Sequence, residues 1–328
     1  MGCYVGGVLQ SLGASVVFLG RARLQAELTT HGLRLSSLAA AADRVVAAPD
    51  IRFVTEPSGL AGCNVVLVAC KSAQTAEIAA SLADVIAAGT VVISLQNGVR
   101  NPETLRRALP NCRVLGGIVG FNVVSKGEGR FRQATTGPLV FEAEADARID
   151  ALSALLVRGG FALETPRDVV PLQWSKLVMN LNNAVSALSD RPTAELLFAS
   201  DYRRILAAIM AEALDVLRAS GTRTARLGAL PPRVFPFLLR LPTPLLKVLA
   251  RAQLKVDPEA RSSMWEDLAQ RRLTEVDYLN GEIVRLAERA GRPAPLNARI
   301  VSLVHEVEQA KAGSPKLSAA ALRDALGI

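Results

Sequence analysis

"MGCYVGGVLQSLGASVVFLGRAR" (1–23) is the stretch on which the fold turns. Small residues at Gly2, Gly6 and Gly7 sit in a helical pattern that Leu12-Gly13 ends, and the β-type run Ser15-Val16-Val17-Phe18-Leu19 follows. In a dinucleotide-binding βαβ unit the fingerprint G-x-G-x-x-G lies between the first strand and the first helix, and its third glycine falls within that helix so that it can pack closely on the sheet. Gly2, followed by Tyr4-Val5-Gly6-Gly7, fits that third glycine and the helix after it. The next strand ends at Leu19-Gly20, and Arg21 stands 19 positions beyond Gly2, where the ribose-reading residue belongs. An acid there would bind a 2′-hydroxyl, whereas a guanidinium suits a 2′-phosphate. Arg21 therefore points to NADP; the alternative is a solvated arginine at a helix start.

Working outward, apolar β-branched runs recur at Asn64–Ala69, Thr90–Leu95 and Arg113–Val119, separated by helical patterns over Thr75–Ala87 and Pro102–Leu109. Continuous apolar strands linked by helices predict a parallel sheet covered on both faces. After Phe121 the texture changes: "GEGRFRQATTGPLVFEAEA" (127–145) is rich in Gly and Thr and alternates, which predicts antiparallel strands closing the far edge of the sheet. From about Gln173 onward no strand pattern remains. Helical periodicity runs through Trp174–Ser189, Tyr202–Ser220, Glu275–Ala290 and Leu296–Ala312, and prolines punctuate 229–246 into short helices. The expected architecture is α/β: a Rossmann-like NADP-binding domain over 1–168, followed by an all-α substrate and dimerisation domain over 169–328.

Composition narrows the function. The 328 residues are 50% hydrophobic, enough for two cores, and no apolar run reaches the ~18 residues of a membrane span. The start shows no charged region followed by an apolar one and a cleavage site, so nothing argues for export and a cytoplasmic protein is expected. The net charge of +8 is dispersed, without a basic run or interleaved aromatics; this speaks against nucleic acid and for small phosphorylated or carboxylated ligands. Cys3, Cys63, Cys70 and Cys112 lack C-x-x-C spacing, and with only His31 and His305 a zinc site is poorly supplied, so no metal is expected and the cysteines read as buried thiols.

Reduction of a carbonyl requires a hydride donor on one face, a proton donor at its oxygen, and hydrogen-bonding or cationic groups for a neighbouring carboxylate. Lys176, with Asn180 at i+4 and Asn183 at i+7, would lie on one helical stripe and present an ammonium flanked by neutral partners; the plainer reading is an exposed lysine on a polar face. Asn97, in Leu95-Gln96-Asn97-Gly98, follows a buried strand at the carboxyl edge where ligands bind in open α/β sheets, although Asn-Gly is also a common turn. Lys71 ends the run before it in the same way, as a site cation or a surface charge. Thr274-Glu275 reads as a helix start, with the glutamate favouring the macrodipole.

Along nearly its whole length the chain resembles the ketopantoate reductases (2-dehydropantoate 2-reductases). The resemblance rests on seven stretches in order: "GCYVGG" with "FLGRAR", "VACKSAQT" (68–75), "SLQNGVRN" (94–101), "GGIVGFNVV" (116–124), "GEGRFRQATTG" (127–137), "WSKLVMNLNNAVSALSDRP" (174–192) and "RSSMWEDLAQRRLTEVDYLNGEIVRLA" (261–287). It implies NADPH-dependent reduction of 2-dehydropantoate to pantoate in pantothenate synthesis, with Lys176 as general acid, Asn180 as a substrate ligand and Asn97 contacting substrate and nicotinamide. It further implies Lys71 as a cofactor and active-site cation, Glu275 hydrogen-bonding the substrate near Lys176, and Ser263 on the carboxylate side. An acid beside the lysine would favour its charged form.

Two departures from the family pattern stand out. The second asparagine of the helix is often at i+8 from the lysine, where this chain has Ala184; Asn183 is rotated by ~100° from that position. Relative to the pattern, strand one and the first two fingerprint glycines, about ten residues, are expected to be lacking. The alternatives are a related 2- or 3-hydroxyacid dehydrogenase and a truncated non-catalytic homologue. A helical second domain also offers a surface for a homodimer. Arg261-Ser262-Ser263-Met264 as a phosphosite and His305 as a catalytic base are set aside, the latter because the sequence places no acid beside it.

Overall fold

The computed structural model describes residues 1–38, 42–226, 228, 230–251 and 261–328. The chain divides into two compact units, Met1–Val169 and Val170–Ile328. No helix among the described residues is long and apolar enough to cross a membrane.

The first unit carries strands β1 (Val17–Leu19), β2 (Leu33–Ser36), β3 (Arg44–Val46), β4 (Arg52–Val54), β5 (Val65–Val68), β6 (Val91–Ser94), β7 (Arg113–Val119), β8 (Val123–Ser125), β9 (Arg130–Gln133), β10 (Leu139–Phe141) and β11 (Leu163–Glu164). Its helices are α1 (Gly2–Ser11), α2 (Ala22–His31), α3 (Thr75–Leu82), α4 (Asn101–Ala108) and α5 (Ala147–Arg158). The main sheet runs β11-β10-β7-β6-β5, with β5, β6 and β7 parallel and β10 antiparallel to β7. Every residue of β6 is buried, as expected of a central parallel strand covered on both faces.

β1 and β4 form a separate parallel pair. Yet both sheet pieces lie between the same two apolar clusters. Phe18 and Phe53 join Ile93, Leu115 and Leu139 on one side, while Val17, Leu19 and Val54 pack with Val66, Val68 and Val92 on the other. One sheet layer is thus split, and no backbone ladder joins β1 to β5 among the described residues. α1 crosses this layer closely. A methyl group at Gly6 would stand 2.7 Å from Phe18 Cε1, and one at Gly7 2.8 Å from Leu35 Cδ1, so these two glycines set the helix-to-strand distance.

One sequence expectation needs correction here, and three strands went unread. Of the stretch 127–145, only β10 joins the main sheet, and the edge beyond it is β11; β9 pairs antiparallel with β8 and parallel with β2, in a second sheet of order β3-β2-β9-β8. The strands β2, β3 and β4 escaped the pattern because each is three or four residues long and carries an arginine, which hides the alternation.

The second unit is helical: α6 (Val170–Asn180), α7 (Asn182–Ser189), α8 (Thr193–Phe198), α9 (Ser200–Ala219), α10 (Phe235–Leu239), α11 (Thr243–Arg251), α12 (Ser263–Ala269), α13 (Asn280–Arg289), α14 (Pro295–Ala310) and α15 (Ala319–Leu326). α9 is the longest, and its Ile205, Ala207, Ile209 and Ala213 are fully buried among the others. The helix expected over Trp174–Ser189 is two helices: at Leu181 the N–H reaches back three residues to the Val178 carbonyl, at 3.4 Å, and resets the phase. The one expected over Glu275–Ala290 begins as a single 3₁₀ turn, Val276–Tyr278, and becomes α-helical only at Asn280.

Candidate active site

In the first unit, four sequence-predicted residues fall at the carboxyl ends of the parallel strands. Gly2 is the first residue of α1, and a methyl group placed on it would stand 3.5 Å from the Cβ of Ala69, the residue after β5. α1 has no capping side chain and no acid in its first turn, and a helix start of that kind suits an anion. Arg21 is exposed at the N-cap of α2, just past β1. Lys71, past β5, precedes a 3₁₀ turn over Ser72–Gln74, and Asn97 lies past β6, ahead of Gly98 at φ +86°. A helix N-terminus, two cations and an amide at one edge suit a dinucleotide phosphate group and a polar ring.

Beneath Lys71 and Asn97 runs a buried hydrogen-bond chain that sequence reasoning missed. Gln96 Nε2 donates to Thr75 Oγ1 at 2.7 Å and to the Cys70 carbonyl at 3.2 Å; Thr75 Oγ1 donates to Asn101 Oδ1 at 2.8 Å; Asn101 Nδ2 donates to the Asn97 carbonyl at 2.6 Å. The available signal was spacing: Thr75 stands four residues after Lys71, and Asn101 four after Asn97.

In the second unit α6 carries Lys176. The residue is half-buried, and desolvation pulls its ammonium down from the ordinary lysine value to about 8, with the Glu275 carboxylate acting in the opposite direction. Burial therefore outweighs the acid, and the group is still mostly protonated at neutral pH. Glu275 is 8% exposed and opens the Val276–Tyr278 turn, whose Val276 N–H is held by Thr274 Oγ1 at 3.1 Å. Asn180, one helical turn after Lys176, ends α6.

Asn183 does not share that helix. The interruption at Leu181 puts it in α7, so the single-stripe argument holds for Lys176 and Asn180 alone, while Ala184 is fully buried. Ser263 is exposed in the first turn of α12. Its neighbour Ser262 is the buried one: it caps α12 by accepting from Trp265 N–H and donates to the Asn183 carbonyl at 3.0 Å, tying α12 to α7. Arg261 also has a structural partner, pairing with Asp190 at 2.8 Å and lying 4.3 Å above the Trp265 ring. His305, expected without an acidic partner, has one: its Nε2 is 3.1 Å from Asp277 Oδ2. The four cysteines are free and half-buried rather than buried.

Two family models match the chain, one described as ketopantoate reductase PanE/ApbA over residues 1–145 and one described as its C terminal over residues 168–308. Among curated relatives, the 2-dehydropantoate 2-reductase of Archaeoglobus fulgidus is 29% identical over 94% of this chain and 95% of its own. That of Halobacterium salinarum is 27% identical over 93% and 94%. The crystal structure of a PanE/ApbA family ketopantoate reductase from Ralstonia eutropha superposes with a TM-score of 0.78 at 28% identity, covering 94% of this chain and 96% of that one. A D-mandelate dehydrogenase solved with NADH and anilino(oxo)acetate shares the fold, with a TM-score of 0.76 at 21% identity, over 95% and 96%. With both halves matched, the chain belongs to the ketopantoate reductase PanE/ApbA family and is an oxidoreductase acting on a CH–OH group.

Proposed function

We propose that this chain reduces 2-dehydropantoate to pantoate with NADPH, with Lys176 as the general acid. The reading is supported by the family match over the helical unit, in which α6 carries Lys176, partly desolvated and with the Glu275 carboxylate acting on it. A proton donor with a pKa of about 8 is charged at neutral pH, yet releases its proton far more readily than an ordinary surface lysine. When bound, the nicotinamide supplies the hydride that adds to the keto carbon. Lys176 donates a proton to the oxygen as negative charge builds there, and Glu275 keeps the ammonium charged and hydrogen-bonds the substrate.

Asn180 and Asn97 supply neutral donors to the substrate, Ser263 lies on its carboxylate side, and Asn183 is a further candidate substrate contact. The α1 N-terminus at Gly2 and the side chains of Arg21 and Lys71 hold the dinucleotide, Arg21 reading the 2′-phosphate. A homodimer through the helical unit belongs to the same reading, supported by the exposed Phe237, Leu245 and Val248 of α10 and α11.

The test is steady-state turnover with NADPH on a panel of 2-keto acids. We expect 2-dehydropantoate to exceed an aryl 2-keto acid by at least about tenfold in kcat/KM. The reverse preference would assign the chain to another 2-hydroxyacid, and no turnover of any keto acid would remove the catalytic reading.

A further inference from the structure

We infer that Gln96, Thr75 and Asn101 are positioning residues that lock the loop after β5 to the loop after β6, so that Asn97 is presented in one fixed arrangement. The inference rests on the active-site reading of Asn97. All three side chains are nearly inaccessible: Gln96 is 5% exposed, Thr75 2% and Asn101 3%. They are nevertheless polar, and each is joined to the next. Ser94 Oγ donates to Gln96 Oε1 at 3.1 Å, which orients the Gln96 amide so that its nitrogen points to Thr75 and to the Cys70 carbonyl. Thr75 passes the chain to Asn101 Oδ1, and Asn101 Nδ2 delivers it to Ser72 Oγ at 3.1 Å and to the Asn97 carbonyl. Ser72 Oγ donates to that same Asn97 carbonyl at 3.0 Å.

The chain therefore begins at the carbonyl immediately before Lys71 and ends on the carbonyl of Asn97. Apolar side chains of similar size would fill this space at less desolvation cost, but they would not fix direction. A connected series of buried donors whose acceptors lie on both loops favours a single loop geometry. The need for such a device is local. Gly98, at φ +86°, gives the turn after Asn97 a backbone freedom that would otherwise let the Asn97 amide drift, and displacement of a reacting group by ~1 Å can cost about a hundredfold in rate.

A double-mutant cycle in the full chain tests this. Asn101→Asp keeps the acceptor for Thr75 but replaces the Nδ2 donor with an oxygen facing the Asn97 carbonyl. We expect it to lower kcat/KM for the keto acid about tenfold through misplacement of Asn97. In an Asn97→Ala background, the same change should cost no more than about twofold, because the group it misplaces is gone. Multiplying losses would mark Asn101 as part of the scaffold only and overturn the inference, as would an unaffected Asn101→Asp single variant. A harmless Asn97→Ala would strike at the active-site role of Asn97, and the inference would fall with it. Should Asn101→Asp not fold, Thr75→Val takes its place in the cycle. Thr75→Ser, which keeps the hydroxyl, should then restore kcat/KM to within about twofold of the parent.

Discussion

The carboxyl edge of the parallel strands and the α6–α12 region of the helical unit solve different problems. At the sheet edge Lys71 and Asn97 each lie just past a strand, in two loops joined by buried hydrogen bonds. In the helical unit Lys176 sits within a helix, its position follows from packing, and its environment changes its acidity instead. The sheet edge thus carries charge and amide groups on turns, and the helical region carries an ammonium drawn down to about 8; under the proposed function the first holds the cofactor and the second donates the proton. The two should fail differently: loss of the sheet-edge cations Arg21 and Lys71 should appear in cofactor affinity, and loss of Lys176 in the chemical step.

The largest effect is expected at Lys176. Lys176→Ala should lower kcat by roughly a thousandfold, because the ammonium acts on charge that develops only during hydride transfer. NADPH affinity, measured by fluorescence titration, should change by no more than about twofold. Comparable losses in affinity and turnover would break the division of labour between the two regions.

The complementary change is Arg21→Ala. A guanidinium pairing with the 2′-phosphate is worth about 1.5–3 kcal/mol, so NADPH binding should weaken roughly tenfold to a hundredfold while NADH binding stays nearly constant. The ratio of the two dissociation constants is the measurement. Equal weakening of both would remove Arg21 from the ribose site and leave it as a charge near the start of α2.

The two regions were also unequally legible in the sequence. The parallel strands β5, β6 and β7 were readable because burial on both faces makes a continuous β-branched run, and β7 matches Arg113–Val119 residue for residue. The short strands β2 to β4 were not, since three or four residues with a charge among them carry little periodicity. In the helical unit the existence of helices was plain, but their breaks were not. Nothing in Asn180-Leu181-Asn182 announces an interruption, and that single residue decides whether Asn183 shares a helix with Lys176. Individual site positions, such as Gly2 at a helix start and Asn97 past a strand, followed from pattern and spacing. The groups that support them, Gln96, Thr75 and Asn101 in one unit and Ser262 in the other, are ordinary polar residues whose burial only the folded chain reveals.

The smallest expected effect bears on the helical region alone. Lys176 is lowered by desolvation to about 8, and the Glu275 carboxylate opposes that shift. Because reduction needs the protonated form, kcat should be level below that value and fall about tenfold per pH unit above it. The linkage to folding has the same origin. The native lysine holds its proton less tightly than the unfolded one, so between about pH 8 and 10.5 the unfolded chain binds more protons, and this group's contribution to stability rises with pH across that window. Glu275→Gln removes the opposing charge while keeping the side chain's size. The ammonium then loses its stabilising neighbour, its pKa falls further, and the descending limb of the kcat profile should move to lower pH by up to about one unit. At a pH near 8 this reads as a several-fold loss of rate, whereas well below the shifted limb the variant should retain most of it, apart from any contribution of Glu275 to holding the substrate. NADPH affinity should be unaltered across the same range, since Arg21 and Lys71 lie on the other unit. A limb that stays in place in Glu275→Gln would show that the carboxylate does not act on Lys176, and the tuned donor would then be a product of burial alone.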